Sequence, residues 1–203
     1  MFNRFLNQPL ILKDQRDPVA ISWDQLYGYC GPTQVIATAL AFRLFEQAFR
    51  ELTPDAMPER DKISVLTAFP GRGILECIEM ITRIPSLAAH RIDVKPDAGS
   101  REAPTAYIGR FYFEVQHGES RRSYRPVPGY FDDEFRNQVA SWQNKEMSGI
   151  EYDNYMSYKW DKAQSILNHT GNLFISEAVP PRSLEPAGKA RWFGLKEYAD
   201  LHK

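Results

Sequence analysis

The segment between Gly31-Pro32 and Thr53-Pro54 constrains this chain more than any other, because it reads as a helix with apolar residues on nearly every side. Val35, Thr38, Ala39, Phe42, Phe45 and Phe49 follow the helical period. Ile36, Leu40 and Leu44 make its first half apolar on other faces too. A helix of that kind must be covered on several sides. It is therefore predicted to run from Thr33 to Leu52 at the centre of the fold, with a second protomer among the surfaces that could cover it.

The 203 residues suffice for one sizeable core around that helix. Residues 1–22 read as an N-terminal arm that Phe2, Phe5, Leu6, Leu10 and Ile11 could anchor. Trp23 to Tyr29 lead into the turn at Cys30, and Pro32 suits the first position of a helix. Asp61 to Thr67 reads as a strand, and Ile74 to Ile84 as a helix closed by Pro85, with Ile74, Cys77, Ile78, Ile81 and Ile84 inward. Strands are expected at Ala89–Val94, Tyr107–Gln116 and Ser120–Val127, the last two joined by a turn at His117-Gly118-Glu119. Phe111, Phe113 and Val115 alternate with polar residues, the pattern of a half-buried antiparallel strand. Helices over Phe131–Glu146 and Tyr152–Leu167, separated at Gly149, precede a last strand at Leu173–Ser176.

The fold class is thus α+β: helix–strand–helix, then antiparallel strands in a mixed sheet packed on a central buried helix, with two further helices. The domain spans 23–178. An extended tail, 179–203, carries Trp192, Phe193, Leu195 and Tyr198 and is expected to dock on the domain or on a partner protomer.

Composition excludes several function classes. A formal net charge of −1 lacks the basic footprint of a phosphate-backbone binder, so no nucleic-acid partner is expected. The longest uncharged apolar stretch, Val35–Phe42, is far shorter than a membrane span. Asn7, Gln8 and Pro9 interrupt the apolar N-terminus where a signal peptide would be continuous. The expectation is a cytoplasmic protein with reduced thiols, in which a Cys30–Cys77 disulfide is not favoured. Two cysteines form neither a disulfide framework nor a four-cysteine zinc site. His90, His117, His169 and His202 lack the spacing of a helical metal site, and no metal ligands are assigned. The cofactor is unknown.

Two segments carry candidate chemistry: Tyr27-Gly28-Tyr29-Cys30-Gly31-Pro32-Thr33 and Thr67-Ala68-Phe69-Pro70-Gly71-Arg72-Gly73. Both read as glycine-containing turns that start helices, where unpaired N–H groups and the dipole favour anions. Arg72 adds a cation that could grip a carboxylate or phosphate. Side by side, the turns would form a small cleft. Tyr27 and Tyr29 would wall it, with Gly31, Thr33, Thr67, Gly71, Arg72, Gly73 and Glu76 as ligand contacts. Cys30, read as lying just ahead of a helix, would have a lowered thiol pKa. It could serve as nucleophile, metal ligand or ligand contact, or be a small buried residue. Cys77 reads as inert core. A Cys30–histidine dyad would need a histidine brought in by the fold. Arg121, Arg122 and Arg125 read as a solvated face, and Tyr152, Tyr155, Met156, Tyr158 and Trp160 as core or interface.

Gly28-Tyr29-Cys30-Gly31-Pro32 with its apolar helix, the strand to Thr67, the Pro70–Gly73 turn before Glu76, and Asn172-Leu173-Phe174-Ile175 together resemble the formylmethanofuran dehydrogenase E-subunit family. The likeness covers roughly residues 23 to 178. It implies a helix–strand–helix core followed by three strands and a connection with one-carbon or pterin-type metabolism. Of the family's metal-site residues only Cys30 matches: tyrosines replace its histidines, the second turn has no cysteine, and no zinc ribbon follows. The resulting expectation is a homodimeric binding protein or enzyme acting on a small anionic or polar ligand. The alternatives are an accessory component with a vestigial site and a metal-binding protein.

Overall fold

In the computed structural model of the chain, residues 8–84, 89–142 and 146–182 are described. The expectations for Phe2, Phe5, Leu6, Pro85 and residues 183–203 lie outside them. The fold is α+β, with a two-stranded sheet, a five-stranded mixed sheet and a helical layer.

The first sheet replaces the expected arm. β1 (Leu10–Asp14) and β2 (Asp17–Ile21) form an antiparallel hairpin in which Asp14 faces Asp17. Alternation puts Leu10 and Leu12 in the core and leaves Ile11 outside. Gln15 takes positive φ in the turn, an uncommon choice for a residue other than glycine, asparagine or aspartate. That is why the sequence gives so weak a hairpin signal. Asp14 pairs with Arg60 at 2.5 Å. Arg60 also donates to the carbonyls of Met80 and Ile81 at the end of the second core helix, which ties hairpin to core.

Helix α1 (Trp23–Cys30) was not expected, although its capping box is spelled out in the sequence. The Ser22 hydroxyl accepts from the Gln25 N–H, and the Gln25 side chain accepts from the Ser22 N–H. Gly31 then takes φ 81°, ψ 164°, a conformation essentially reserved for glycine. A single 3-10 turn, Pro32–Gln34, leads into α2 (Val35–Leu52).

α2 is the central buried helix. Val35, Ala39, Phe42, Phe45 and Ala48 have no exposed surface. α1, the sheet and two later helices, α3 (Arg72–Thr82) and α5 (Gly149–Leu167), all pack against it, the last most extensively. Its burial is thus completed within one chain and requires no second protomer.

The main sheet has the order β4-β3-β5-β6-β7, from β3 (Ile63–Thr67), β4 (Ile92–Val94), β5 (Phe113–His117), β6 (Ser120–Pro126) and β7 (Phe174–Ala178). β3 and β4 run parallel, connected through α3; the other pairs are antiparallel. The register Thr67–Phe113–Tyr124 and Val65–Val115 puts these residues on one face, against the helices. α3 ends at Thr82 rather than Ile84 because Arg83 turns left-handed at the C-cap. α4 (Asp133–Trp142) begins two residues later than expected, and residues 143–145 of the expected span lie outside the described ones. α5 starts at Gly149, one position inside a Ser148–Glu151 capping box, so that glycine opens the helix as well as separating it from α4.

The arginines of β6 are not a solvated face. Arg121 pairs with Glu114, Arg122 with Glu51 of α2 at 3.0 Å, and Arg125 with Glu102 at 2.5 Å. Beyond β7, Val179 donates its N–H to the Arg121 carbonyl at 3.1 Å, and the Gln116 amide makes a two-point contact with the Arg182 backbone. The start of the tail, residues 179–182, therefore docks on its own sheet.

Gln47 makes a similar two-point contact from α2. Its Nε2 donates to the Phe174 carbonyl at 2.9 Å, and its Oε1 accepts from the Phe174 N–H at 3.1 Å. Gln47→Leu would leave both backbone groups buried and unpaired. It should lower the unfolding free energy in urea by about 2–4 kcal/mol, well beyond the effect of a surface substitution.

Candidate functional site

The two glycine turns are neighbours. The Cys30 Sγ lies 4.0 Å from the Gly73 carbonyl and 3.4 Å from the Cys77 Sγ. A Cβ on Gly73 would stand 2.7 Å from Gln34 Oε1 and 2.8 Å from the Ala37 Cβ, so only a residue without a side chain lets α3 approach the start of α2 this closely. Beside Gly28 and Gly31 there is open space. The junction is closed at Gly73 and has open space at Gly31, the residue that follows Cys30.

Cys30 is the last residue of α1 rather than a residue ahead of a helix start. The dipole argument for an acidic thiol therefore fails, since a helix C-terminus disfavours an anion. The thiol is nevertheless shifted down, chiefly because Cys77 donates a hydrogen bond to it, with smaller help from Thr38 and Arg72; burial and Glu76 oppose the shift. The Cys77 thiol, fully buried, is pushed the other way by its bond to Cys30 and by desolvation. Cys77 packs in the core as expected, but it is also the nearest partner of Cys30. Among the described residues no histidine is one of the groups that shape Cys30. His117 instead accepts from the Glu59 N–H, and His169 bonds the Tyr130 hydroxyl.

Arg72 opens α3 and is well exposed, but it is not an isolated cation. Its Nε donates to Glu76 Oε1 at 2.6 Å, one turn along. Glu76 Oε2 is buried and has no hydrogen-bond partner among the described residues. One turn further, Glu79 pairs with Arg83 at 3.6 Å. Both carboxylates act on Tyr29, whose hydroxyl is shifted up by desolvation and then by Glu79 and Glu76. The exposed face of α3 thus alternates charges that cancel.

The remaining expected contacts separate from this group. Tyr27 and Tyr29 are two residues apart on α1, about 200° around a helix, and cannot wall one cleft. Tyr27 stacks on Trp23 and meets Trp160 of α5, each at 5.2 Å between ring centres. Thr33 lies toward α5 as well, where its carbonyl accepts from Lys159. Burial pushes the Lys159 ammonium down to about 8. Thr67 is fully buried, and its hydroxyl both donates to the Phe69 carbonyl and accepts the Phe69 N–H, fixing the turn instead of meeting a ligand. Gly71 is covered by the Phe69 ring, 2.6 Å from where a Cβ would sit. The junction therefore keeps Tyr29, Cys30, Gly31, Arg72, Gly73 and Glu76 of the expected residues, and adds Thr38, Cys77 and Glu79. Cys77 was legible as Gly73's neighbour one turn along α3; nothing in the sequence marks Thr38.

Among the described residues no group of three or more histidine, cysteine, aspartate or glutamate side chains is placed to hold a metal ion, and no helix is long and apolar enough to cross a membrane. No family model and no curated protein sequence matches the chain.

Two outcomes follow from the geometry. Gly31→Ala should cost about 1–3 kcal/mol, because alanine must adopt a glycine-only conformation there, measured by thermal unfolding. Alkylation of Cys30 tracks its thiolate fraction. Removing the Cys77 donor favours the protonated form, so Cys77→Ala should move the midpoint of the Cys30 rate-against-pH curve upward.

Proposed function

We propose that the junction of the two turns binds a small polar molecule that presents an N–H or O–H donor together with an anionic or acceptor group. The observation that carries this reading is Glu76 Oε2, a buried carboxylate oxygen with no partner among the described residues, on a side chain held by Arg72. A buried acceptor left unpaired is costly, and a ligand donor would relieve that cost. Arg72, still well exposed while paired with Glu76, would take the acceptor or anionic end. Open space beside Gly31 allows approach to the main chain next to Cys30. The balance of Arg72 and Arg83 against Glu76 and Glu79 favours a ligand with both kinds of group over a simple anion.

The order α2–β3–α3–β4–β5–β6 is the helix–strand–helix and three strands that the resemblance to the formylmethanofuran dehydrogenase E-subunit family implies. On that basis the ligand belongs with one-carbon or pterin-type metabolites, in a cytoplasmic protein. Pterins suit the site chemically, since they carry amino and amide donors beside carbonyl acceptors.

The test is thermal unfolding of the full chain against carboxylates, phosphates and pterins. A compound with an N–H donor beside an acceptor should raise stability, by about 2.7 kcal/mol at a roughly hundredfold excess over Kd. Glu76→Gln should erase most of the shift, and Cys30→Ser should leave binding intact while abolishing any turnover. A panel without effect, or a shift that survives both Glu76→Gln and Arg72→Ala, overturns the reading.

A further inference from the structure

We propose that Cys30 and Cys77 form a dithiol pair that a small hydroperoxide converts to an intramolecular disulfide, linking the end of α1 to α3. The inference stands on the sulfur geometry and does not depend on the ligand reading. The two free thiols are 3.4 Å apart, in contact, although 47 positions separate them in the chain. Bonding needs a closure of roughly 1.4 Å, from 3.4 Å to the S–S length of about 2.0 Å. Cys30 is the terminal residue of its helix, so its side chain can close that gap without breaking the interior of either helix.

The environments give the two sulfurs different roles. Cys30 keeps 6% of its surface exposed and is followed by Gly31, beside which there is open space, whereas Cys77 has no exposed surface. Only Cys30 can meet an oxidant, and so narrow an opening favours a small peroxide over a bulky disulfide. The Cys77 hydrogen bond, Thr38 and Arg72 favour the Cys30 thiolate against burial and Glu76, and Cys77 retains its proton. The Cys30 thiolate attacks one peroxide oxygen, the O–O bond breaks, and the alkoxide or hydroxide leaves as alcohol or water after taking a proton. Cys77 then attacks the Cys30 sulfenic acid. The S–S bond forms, the S–O bond breaks, and the hydroxyl leaves as water with the Cys77 proton. Two thiols lose two electrons, the peroxide gains them, and an external dithiol reverses the change.

The experiment treats the reduced, native full chain with stoichiometric hydrogen peroxide, blocks remaining thiols by alkylation, and reads intact mass and peptide map. The expected product is lighter by about 2 Da through loss of two hydrogens, yields a Cys30–Cys77 linked peptide, offers no thiol for alkylation, and returns to the starting mass with dithiothreitol. Cys77→Ala, checked for cooperative unfolding, should instead accumulate a Cys30 sulfenic acid trapped by dimedone. Should that variant not fold, the wild-type peptide map decides by itself. Two alkylatable thiols remaining after peroxide, a sulfinic or sulfonic acid on wild-type Cys30, or links only between chains would overturn the proposal.

Discussion

Everything in this fold is arranged around the requirement to cover α2. A helix apolar on nearly all faces has no stable position at a surface, because each exposed leucine or phenylalanine would forgo on the order of 1.5–3 kcal/mol of burial. The chain answers with the sheet on one side, α5 along another, and α1 and α3 on the rest. Gln47 belongs to the same solution. It is a polar residue on a buried helix, tolerated because its amide completes the hydrogen bonds of Phe174 on β7.

The site is a by-product of that packing. α1 and α3 both have to reach α2, and they meet near its start because Gly73 presents no Cβ to Gln34 and Ala37. Their approach places the sulfurs of Cys30 and Cys77 in contact and puts the charged face of α3 beside the end of α1. The local field is not the one that a helix N-terminus and a lone guanidinium would give. Glu76 neutralises Arg72, and Cys30 sits at the wrong helix end for dipole stabilisation. Hydrogen bonding between the thiols, rather than the backbone field, sets their order of ionisation.

Much of the element order was legible. Periodicity placed α2, the Ile74–Ile81 stripe of α3 and the inward Phe113 and Val115, because each lies on a face that solvent must not reach. The elements missed had competing local signals. α1 is only eight residues long and contains Gly28, which obscured the Ser22–Gln25 capping box. The first hairpin has prolines at its margins and turns on Gln15 rather than glycine. The arginines of β6 were misread because nothing local shows that Glu51, Glu102 and Glu114 converge on them. At the site, Cys30, Arg72, Gly73 and Glu76 were legible as residues. Which of them meet was not, and Tyr27, Thr33 and Thr67 were grouped with them only because they are near in sequence.

By itself the sequence determined an α+β chain built on one central helix, with two glycine turns and a thiol as its chemical assets. Those properties follow from side-chain periodicity and backbone preference, which act over a few residues. Tertiary structure decided which face of each helix looks where, that Tyr29 and not Tyr27 shares the junction with Cys30, that Arg72 carries its own counter-ion, and that Cys77 touches Cys30. Such facts depend on angles around helices and on contacts between segments about 40 residues apart, where a single missing Cβ sets the distance of approach.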